Sequence, residues 1–282
     1  MVPDSVDVDP LPVRHRTVVG PGGVRLQVTE VGASGRSAVV IAHGAGSSAR
    51  FIVDAFVGPV LASGRRLVTF DLRGHGGSDP ARDPVDHRLE VHVADLRAVA
   101  TSVVGPIEVV GGVSLGGHAA VRAVATGDVA CGVVLACLPA WTGKAGDGVG
   151  PHAVVAAEVR EVGIAAVIAR LEAARDLPPW LREVLVRDYR SHDPGSLTAA
   201  LLALDGGLAP DAEEVGGLPV PLAAVGWPDD PGHPLAVARR WVDLAPVAAL
   251  RTLELTDLDA GVDSLGRTAM AAVDAAGDEG GT

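Results

Sequence analysis

Residues 107–117 read IEVVGGVSLGG and contain the turn that decides the fold. The apolar run at 107–112 is typical of a buried strand, and the residues after it suit the start of a helix. Ser114 stands between them, with Gly112 two positions before it and Gly116 two positions after. Glycines at those positions let a strand and a helix cross closely, so the serine sits on a strained turn with its hydroxyl exposed. The alternative is a glycine-rich turn with an ordinary surface serine.

Outward from this turn, strand-like and helix-like patterns alternate. Predicted strands lie at 25–31, 37–44, 65–71, 107–112, 131–139, 220–226 and 249–255, and predicted helices at 51–64 and 88–104. Several of the strands are continuous apolar runs, which suit parallel strands buried on both faces. Strands that alternate with helices imply right-handed crossovers and a mainly parallel, doubly wound α/β sheet.

Residues 140–216 interrupt this alternation. They contain helix-like pieces but no convincing strand. We expect one domain whose core is 1–139 and 217–282, with 140–216 as a helical cap inserted after one strand. Ligands of such sheets bind outside the carboxyl ends of the strands, so the cap is expected to cover the site.

Two further stretches follow strands of the same series, namely AHGAGSS at 42–48 and DLRGHGGSD at 71–79. Together with GVSLGG they occur in the order found in the α/β-hydrolase superfamily, and the sequence resembles that family. The resemblance covers roughly residues 20–140 strongly and 217–276 weakly. One superfold hosts many reactions, so the resemblance specifies the fold much more closely than the substrate.

The resemblance implies a nucleophile, an acid and a histidine in that chain order. Ser114 is the expected nucleophile. The backbone amides of Ala45 and Leu115 would hold the oxyanion that forms when the serine attacks a carbonyl. The acid is expected after the strand at 220–226.

The stretch VPLAAVGWPDDPGHP at 220–234 offers two candidate acids. Asp230, which precedes Pro231, resembles the family's acid turn better than Asp229 does. The alternative is that both carboxylates cap a helix that starts near Pro234, although capping and catalysis are compatible at one turn.

The expected histidine after the last strand is absent. That position reads LELTDLDAGVDSLG (253–266), and no histidine follows His233. Three explanations stay open: the base comes from elsewhere, the chemistry needs no such base, or the protein binds without reacting. His233, on the same loop as Asp230, is the candidate base, because such constellations are recognised by geometry rather than by sequence position. Asp257 and Asp259 are expected to cap the final helix.

Four residues are candidates for the walls of a substrate pocket: His43, Trp141, Trp180 and Trp227. Aromatic residues are 3% of the chain, so several near one sheet edge suggest an apolar pocket, although such residues more often belong to the core. For His43, in the HG turn, the resemblance mainly implies loop packing.

Composition narrows the class of partner. The 282 residues carry a net charge of −12, which disfavours nucleic acid and anionic membranes and favours a small molecule. We find no zinc-type spacing and expect no metal and no cofactor. No oligomeric state follows from the sequence.

Features that bear on location favour the cytoplasm. No apolar run reaches the ~18 residues of a membrane span, and the acidic N-terminus lacks the features of a signal peptide. Cys131 and Cys137 lie six residues apart in one predicted strand and cannot join, so we expect two free thiols in a reducing compartment.

The sequence therefore favours a serine hydrolase, an esterase or thioesterase, acting on a small and mostly apolar acyl substrate. A second interpretation is a repurposed non-hydrolytic enzyme of a biosynthetic pathway, such as a lyase, cyclase or isomerase. A third is a catalytically silent relative that binds a ligand.

Overall fold

The computed structural model describes residues 12–143, 151–228 and 230–281. Eight strands form one sheet in the order β1-β2-β4-β3-β5-β6-β7-β8. The strands are β1 (Val13–Val19), β2 (Arg25–Val31), β3 (Ala38–Ala42), β4 (Arg66–Phe70), β5 (Ile107–Val113), β6 (Val133–Cys137), β7 (Leu222–Gly226) and β8 (Ala248–Thr252). Strand β2 is antiparallel to β1 and β4, and the remaining pairs are parallel.

Helices connect the strands and cover both faces of the sheet. They are α1 (Ala49–Ala62), α2 (Leu89–Thr101), α3 (Leu115–Ala125), α4 (Pro151–Val162), α5 (Ile164–Ala173), α6 (Pro179–Tyr189), α7 (Pro194–Leu204), α8 (Ala212–Gly216), α9 (Leu235–Leu244) and α10 (Asp263–Gly280). Short 3-10 helices occupy Pro21–Gly23, Pro84–His87 and Leu255–Ala260.

Apolar packing on two faces explains the continuous hydrophobic strands. Every residue of β3, β4, β6 and β7 is buried. Residues of one face pack against α1 and α10, whereas those of the other face pack against α2 and α3. The predicted mainly parallel, doubly wound sheet is confirmed.

Two details differ from the sequence-based expectation. Strand β1 was not predicted, because its residues are mostly exposed and it pairs only as an antiparallel edge. Cys131 does not share a strand with Cys137, since β6 begins at Val133. Both thiols are free, and burial raises the pKa of Cys131 to about 11.

The insertion at 140–216 folds as helices between β6 and β7. Helix α4 packs against α5 and α7, and α5 packs against α6. Helix α8, in contrast, lies against α3 and α9 of the core. The insertion contacts the loops that follow β3, β4 and β8, as the hydrogen bonds of His192 and Trp180 described below show. It therefore reaches the edge formed by the carboxyl ends of the parallel strands.

Within the described parts of the chain, no helix combines the length and the apolar character needed to cross a membrane.

Candidate active site

Ser114 occupies a sharp turn between β5 and α3. Its φ of 51° and ψ of −120° are unusual for a residue with a side chain, and such strain concentrates at functional positions. A Cβ on Gly112 would lie 2.3 Å from the Gly116 carbonyl carbon, and one on Gly116 would lie 2.3 Å from Ala42 O. The two glycines are therefore required for the helix to start this close to β3 and β5. Ser114 itself is partly exposed.

His233 connects Ser114 to a carboxylate. Its Nε2 lies 3.0 Å from Ser114 Oγ, and its Nδ1 lies 2.7 Å from Asp230 Oδ2. An ionised carboxylate only accepts, so Nδ1 carries the hydrogen and Nε2 is free to accept from the serine hydroxyl. The structure thus brings Ser114, His233 and Asp230 into one hydrogen-bonded chain, with the ring aligned as a proton acceptor.

Asp230 and His233 lie on one tight turn between β7 and α9. His233 N donates to Asp230 O at 3.3 Å, and Gly232 N donates to Asp230 Oδ1 at 2.7 Å. Burial of Asp230 opposes its ionisation, but the hydrogen bond and charge of His233 and the two backbone donors outweigh it and lower the pKa of the carboxyl. Asp230 is therefore ionised near neutral pH and holds the imidazole in one tautomer. Asp229 lies outside the described residues.

The candidate oxyanion donors flank the serine. Leu115 is the first residue of α3, so its amide has no partner within the helix. The loop after β3 passes directly over the turn, since a Cβ on Gly44 would lie 3.3 Å from Ser114 Cβ. Ala45, the next residue, is partly exposed, and no hydrogen bond from its amide occurs to the described residues.

His43 occupies a different place from the one proposed for it. Its ring has no exposed surface: Nδ1 donates to Gly44 O at 2.7 Å, and Nε2 accepts from Leu72 N at 2.9 Å. A pocket-lining role does not fit this burial. The ring instead supports the loop that passes over Ser114, as the alternative of loop packing implied.

The segment after β8, where the resemblance leads one to expect a histidine, forms the 3-10 helix Leu255–Ala260. Asp257 caps this short helix by accepting from Glu254 N at 2.9 Å, so the expectation that it caps the final helix is wrong. The final helix begins later, at Asp263. Both Asp257 and Asp259 are exposed.

The three candidate pocket tryptophans separate into two groups. Trp180 and Trp227 meet edge to face with ring centroids 5.8 Å apart. Trp180 also stacks on Phe51, at 6.4 Å, a residue that sequence reasoning missed because it lies among ordinary core positions of α1. Trp141 belongs to the other hydrophobic cluster, beside His118. We therefore define Phe51, Trp180 and Trp227 as the aromatic cluster.

The aromatic cluster lies next to the turn that carries Asp230 and His233. Trp227 directly follows β7 and forms a bridge with Pro234, just past His233. Trp180 fixes its own ring by donating from Nε1 to Leu255 O at 2.9 Å. The cluster is almost fully buried and supplies an apolar wall beside this turn.

His118, which follows the turn of Ser114, packs rather than reacts. Its Nδ1 donates to Leu208 O at 2.6 Å, and its Nε2 accepts from Ala140 N at 3.0 Å. Burial lowers its pKa to about 4. Both nitrogens are thus committed, and the ring connects the core to both ends of the insertion.

A sequence profile of the alpha/beta hydrolase family matches residues 39–273. The chain belongs to this family. The match includes the loop after β3, the turn of Ser114 and the turn that carries Asp230 and His233. No curated protein gives a significant match to the sequence.

Solved structures of the same fold include enzymes with different reactions. An enol-lactonase from Burkholderia xenovorans LB400 is 18% identical, with a TM-score of 0.71 over 92% of this chain and 100% of its own. A thermophilic esterase from Thermogutta terrifontis is 19% identical, with a TM-score of 0.70 over 92% and 96%. The bottromycin epimerase BotH is 20% identical, with a TM-score of 0.65 over 95% and 99%. At these identities the similarity establishes a shared fold only.

Proposed function

We propose that this alpha/beta hydrolase is a serine esterase or thioesterase that acts on a small, mostly apolar acyl substrate. The observation that carries the proposal is the hydrogen-bonded chain Ser114–His233–Asp230, with contacts of 3.0 and 2.7 Å. A serine hydroxyl is a weak nucleophile on its own, and an imidazole oriented by a carboxylate is the means by which such hydroxyls are activated.

Acylation follows from these positions. Ser114 Oγ attacks the carbonyl carbon of the substrate while His233 Nε2 takes the hydroxyl proton. The carbonyl oxygen becomes an oxyanion, which the amides of Ala45 and Leu115 receive. The imidazolium then gives its proton to the leaving alkoxide or thiolate, and the acyl group stays on the serine. Asp230 stabilises the imidazolium throughout without taking the proton.

Deacylation repeats the same steps with water. His233 removes a proton from the attacking water and returns it to Ser114 Oγ when the carboxylic acid leaves. A single base serves both halves of the reaction, so no further titratable group is needed at the site.

The apolar character of the substrate is inferred from the aromatic cluster. Phe51, Trp180 and Trp227 are buried beside the turn of His233, and the insertion contributes Trp180 to it. We propose that the insertion acts as a cap and that an acyl group packs against apolar side chains at this border. Apolar contacts of this kind discriminate weakly between homologous acyl chains, by about 1–3 kcal/mol per methylene at most.

The non-hydrolytic alternative is motivated mainly by the missing histidine after the last strand, and the contact of His233 with Ser114 weakens that motivation. Because an epimerase is among the structures of similar fold, the test below is designed to distinguish a non-hydrolytic enzyme from a hydrolase.

The test is covalent labelling combined with turnover. Intact-mass analysis after treatment with a fluorophosphonate should give one adduct, located at Ser114 and absent from Ser114→Ala. The protein should also hydrolyse p-nitrophenyl acetate and butyrate. A labelled Ser114 without ester turnover at any pH would favour the non-hydrolytic alternative. No adduct after long exposure, or an adduct at a different serine, would overturn the proposal.

A further inference from the structure

The Ala45 amide is carried by the turn at residues 44–47, which we call the oxyanion turn. Ser47 N donates to Gly44 O at 3.1 Å and closes the turn. Gly44 O also accepts from the ring of His43 at 2.7 Å. In a trans peptide the N–H points away from the C=O in the same plane, so holding the Gly44 oxygen fixes the direction of the Ala45 N–H.

The next residue, Gly46, is held at both ends by histidines. Gly46 N donates to His75 Nε2 at 3.0 Å. Gly46 O accepts from His192 Nε2 at 3.1 Å. His75 belongs to the loop after β4, whereas His192 lies in the insertion between α6 and α7. Rotation of the oxyanion turn at Gly46 therefore breaks a bond to the core, to the insertion or to both.

The tautomer of His192 is determined by its second partner. Gly76 N donates to His192 Nδ1 at 3.1 Å, so Nε2 carries the hydrogen that goes to Gly46 O. The residue is only 6% exposed, and burial lowers the pKa of its ring, which favours this neutral form. One imidazole thus connects the loop after β4 with the oxyanion turn.

The end of α6 makes two more contacts with the same turn. Ser47 Oγ donates to the buried carboxylate of Asp188 at 3.1 Å. The ring of Tyr189 lies against Gly46, where an added Cβ would come within 3.3 Å of the ring and the φ of 75° already favours glycine. Three residues of the insertion, at 188, 189 and 192, therefore hold the two residues that follow Ala45.

We propose that His192 is a positioning residue for the oxyanion: its bond to Gly46 keeps the Ala45 amide in register with the Leu115 amide. The insertion is then part of the apparatus that stabilises the transition state, in addition to covering the site. An oxyanion donor works only within about 2.7–3.1 Å of the developing charge, so a small shift of the turn removes its contribution. This inference rests on the proposed function.

The kinetic test compares His192→Ala with His152→Ala. His152 is a matched control, because it is a histidine of the insertion that bonds a carboxylate, Asp205, at 3.1 Å, and it has no contact with the oxyanion turn. We expect kcat of His192→Ala for p-nitrophenyl butyrate to fall about 10–100-fold with KM nearly unchanged, less than the ~10²–10³-fold cost of losing a donor outright. The His152→Ala protein should keep the wild-type kcat.

A transition-state analogue separates positioning from a general structural effect. A trifluoromethyl ketone forms a tetrahedral oxyanion on the serine, so its inhibition constant should rise by the factor by which kcat/KM falls. The His192→Gln protein should recover part of the loss, because its amide N–H can reach Gly46 O. Unchanged kcat and unchanged inhibition in His192→Ala would overturn the proposal.

Hydrogen exchange tests the contact without relying on turnover. Amides of residues 44–48 should exchange faster in His192→Ala than in wild type or His152→Ala. If wild type shows neither turnover nor an adduct at Ser114, the proposed function fails, and exchange alone decides whether His192 holds the turn. Equal exchange in the variants overturns that claim.

If His192→Ala does not fold, His192→Phe replaces it, because a phenyl ring keeps the bulk of the side chain but cannot donate to Gly46 O. The same reduced kcat and faster exchange are expected, and wild-type values for both would contradict the proposal.

Discussion

The turn at residues 230–234 and the segment at 253–262 follow neighbouring parallel strands, β7 and β8, at the same edge of the sheet. The first carries both Asp230 and His233. The second, where the family resemblance leads one to expect the base, is a short helix capped by Asp257. The histidine that contacts Ser114 therefore lies on the same loop as Asp230, and we propose that this one loop supplies both the acid and the base.

The sheet explains why a base on the loop after β7 can reach Ser114. Ser114 follows β5, so β7 is two strands away and β8 three strands away. With neighbouring strands about 4.8 Å apart, a base on the turn after β7 starts roughly 10 Å from the line of the serine, compared with roughly 14 Å for one after β8. The i, i+3 spacing also places the acid and base on a single turn, where backbone bonds hold both. The constraint is on the geometry at the sheet edge, so the loop that carries the base can vary while the chain order of serine, acid and histidine is kept.

The segment after β8 has a different use in this protein. Its Leu255 carbonyl accepts from Trp180 of α6, so it anchors the insertion to the core. The two regions therefore differ in what a substitution should affect: chemistry at 230–234, and attachment of the insertion at 253–262.

The largest expected effect comes from His233→Ala. Loss of the proton acceptor should reduce kcat for p-nitrophenyl esters by about 10⁴-fold or more, by analogy with removal of the base from other Ser-His-Asp triads. The control variant in the segment after β8 is Asp257→Asn. It should keep kcat near that of wild type, because Asp257 is exposed and caps a 3-10 helix. Similar losses in the two variants would break the distinction between the regions.

A second prediction concerns the buried histidines and the loss of stability in acid. Five rings contact one another beneath the loops after β3 and β4, with centroids 5.0–6.2 Å apart along the chain of contacts. They are His43, His75, His87, His92 and His192. Burial lowers the pKa of each, so the unfolded chain binds more protons below its ordinary histidine pKa of about 6.5.

Stability contributed by these rings is therefore complete above about pH 6.5 and is lost as the pH falls, by up to about 1.4 kcal/mol per pH unit for each histidine. Urea unfolding between pH 7.5 and 5 should show this slope. His92, whose ring is fully buried, supplies the decisive variant: His92→Leu should flatten the slope. An unchanged slope in His92→Leu would contradict this assignment.

A smaller effect is expected at the anchor of the insertion. Trp180→Phe keeps the apolar ring but loses the hydrogen bond to Leu255 O, which should lower the free energy of unfolding by about 0.5–1.5 kcal/mol. Amides of residues 254–258 should exchange faster, while kcat for p-nitrophenyl acetate stays near wild type. The control is Trp141→Phe, which removes an indole from the other hydrophobic cluster. Faster exchange at 254–258 in both variants would mean that the anchor is not specific.

Much of the fold was predictable, because buried parallel strands and the Gly-x-Ser-x-Gly turn leave local signals. The strands β2 to β8 were predicted to within a few residues, and β1 was missed because its mostly exposed residues carry no regular apolar pattern. For the candidate site, the glycines around Ser114 indicated its turn, and the family resemblance pointed to the loop that holds Asp230 and His233.

The contacts between the insertion and the oxyanion turn were not predictable. His192 donates a hydrogen bond to Gly46, which lies 146 positions earlier in the chain. No sequence pattern around either residue indicates that the two are in contact. The sequence also did not predict that His43 is buried or that Trp141 and Trp180 lie in different hydrophobic clusters. Both facts depend on the direction in which each loop leaves the sheet. Such long-range pairings arise from tertiary packing, which local periodicity does not encode.

The last prediction is a null result, and it tests whether the segment after β8 can carry the base instead. In a His233→Ala background, Asp257→His and Asp259→His should each fail to restore esterase activity. Both positions are exposed, and Asp257 is committed to capping the helix at Leu255–Ala260, which is tied to Trp180. An imidazole placed there would have to come within about 2.6–3.2 Å of Ser114 Oγ to act as a base. A gain of activity with either histidine would show that a base on the segment after β8 can also reach Ser114. The two loops would then differ only in which of them carries the histidine, and not in their geometry relative to the serine.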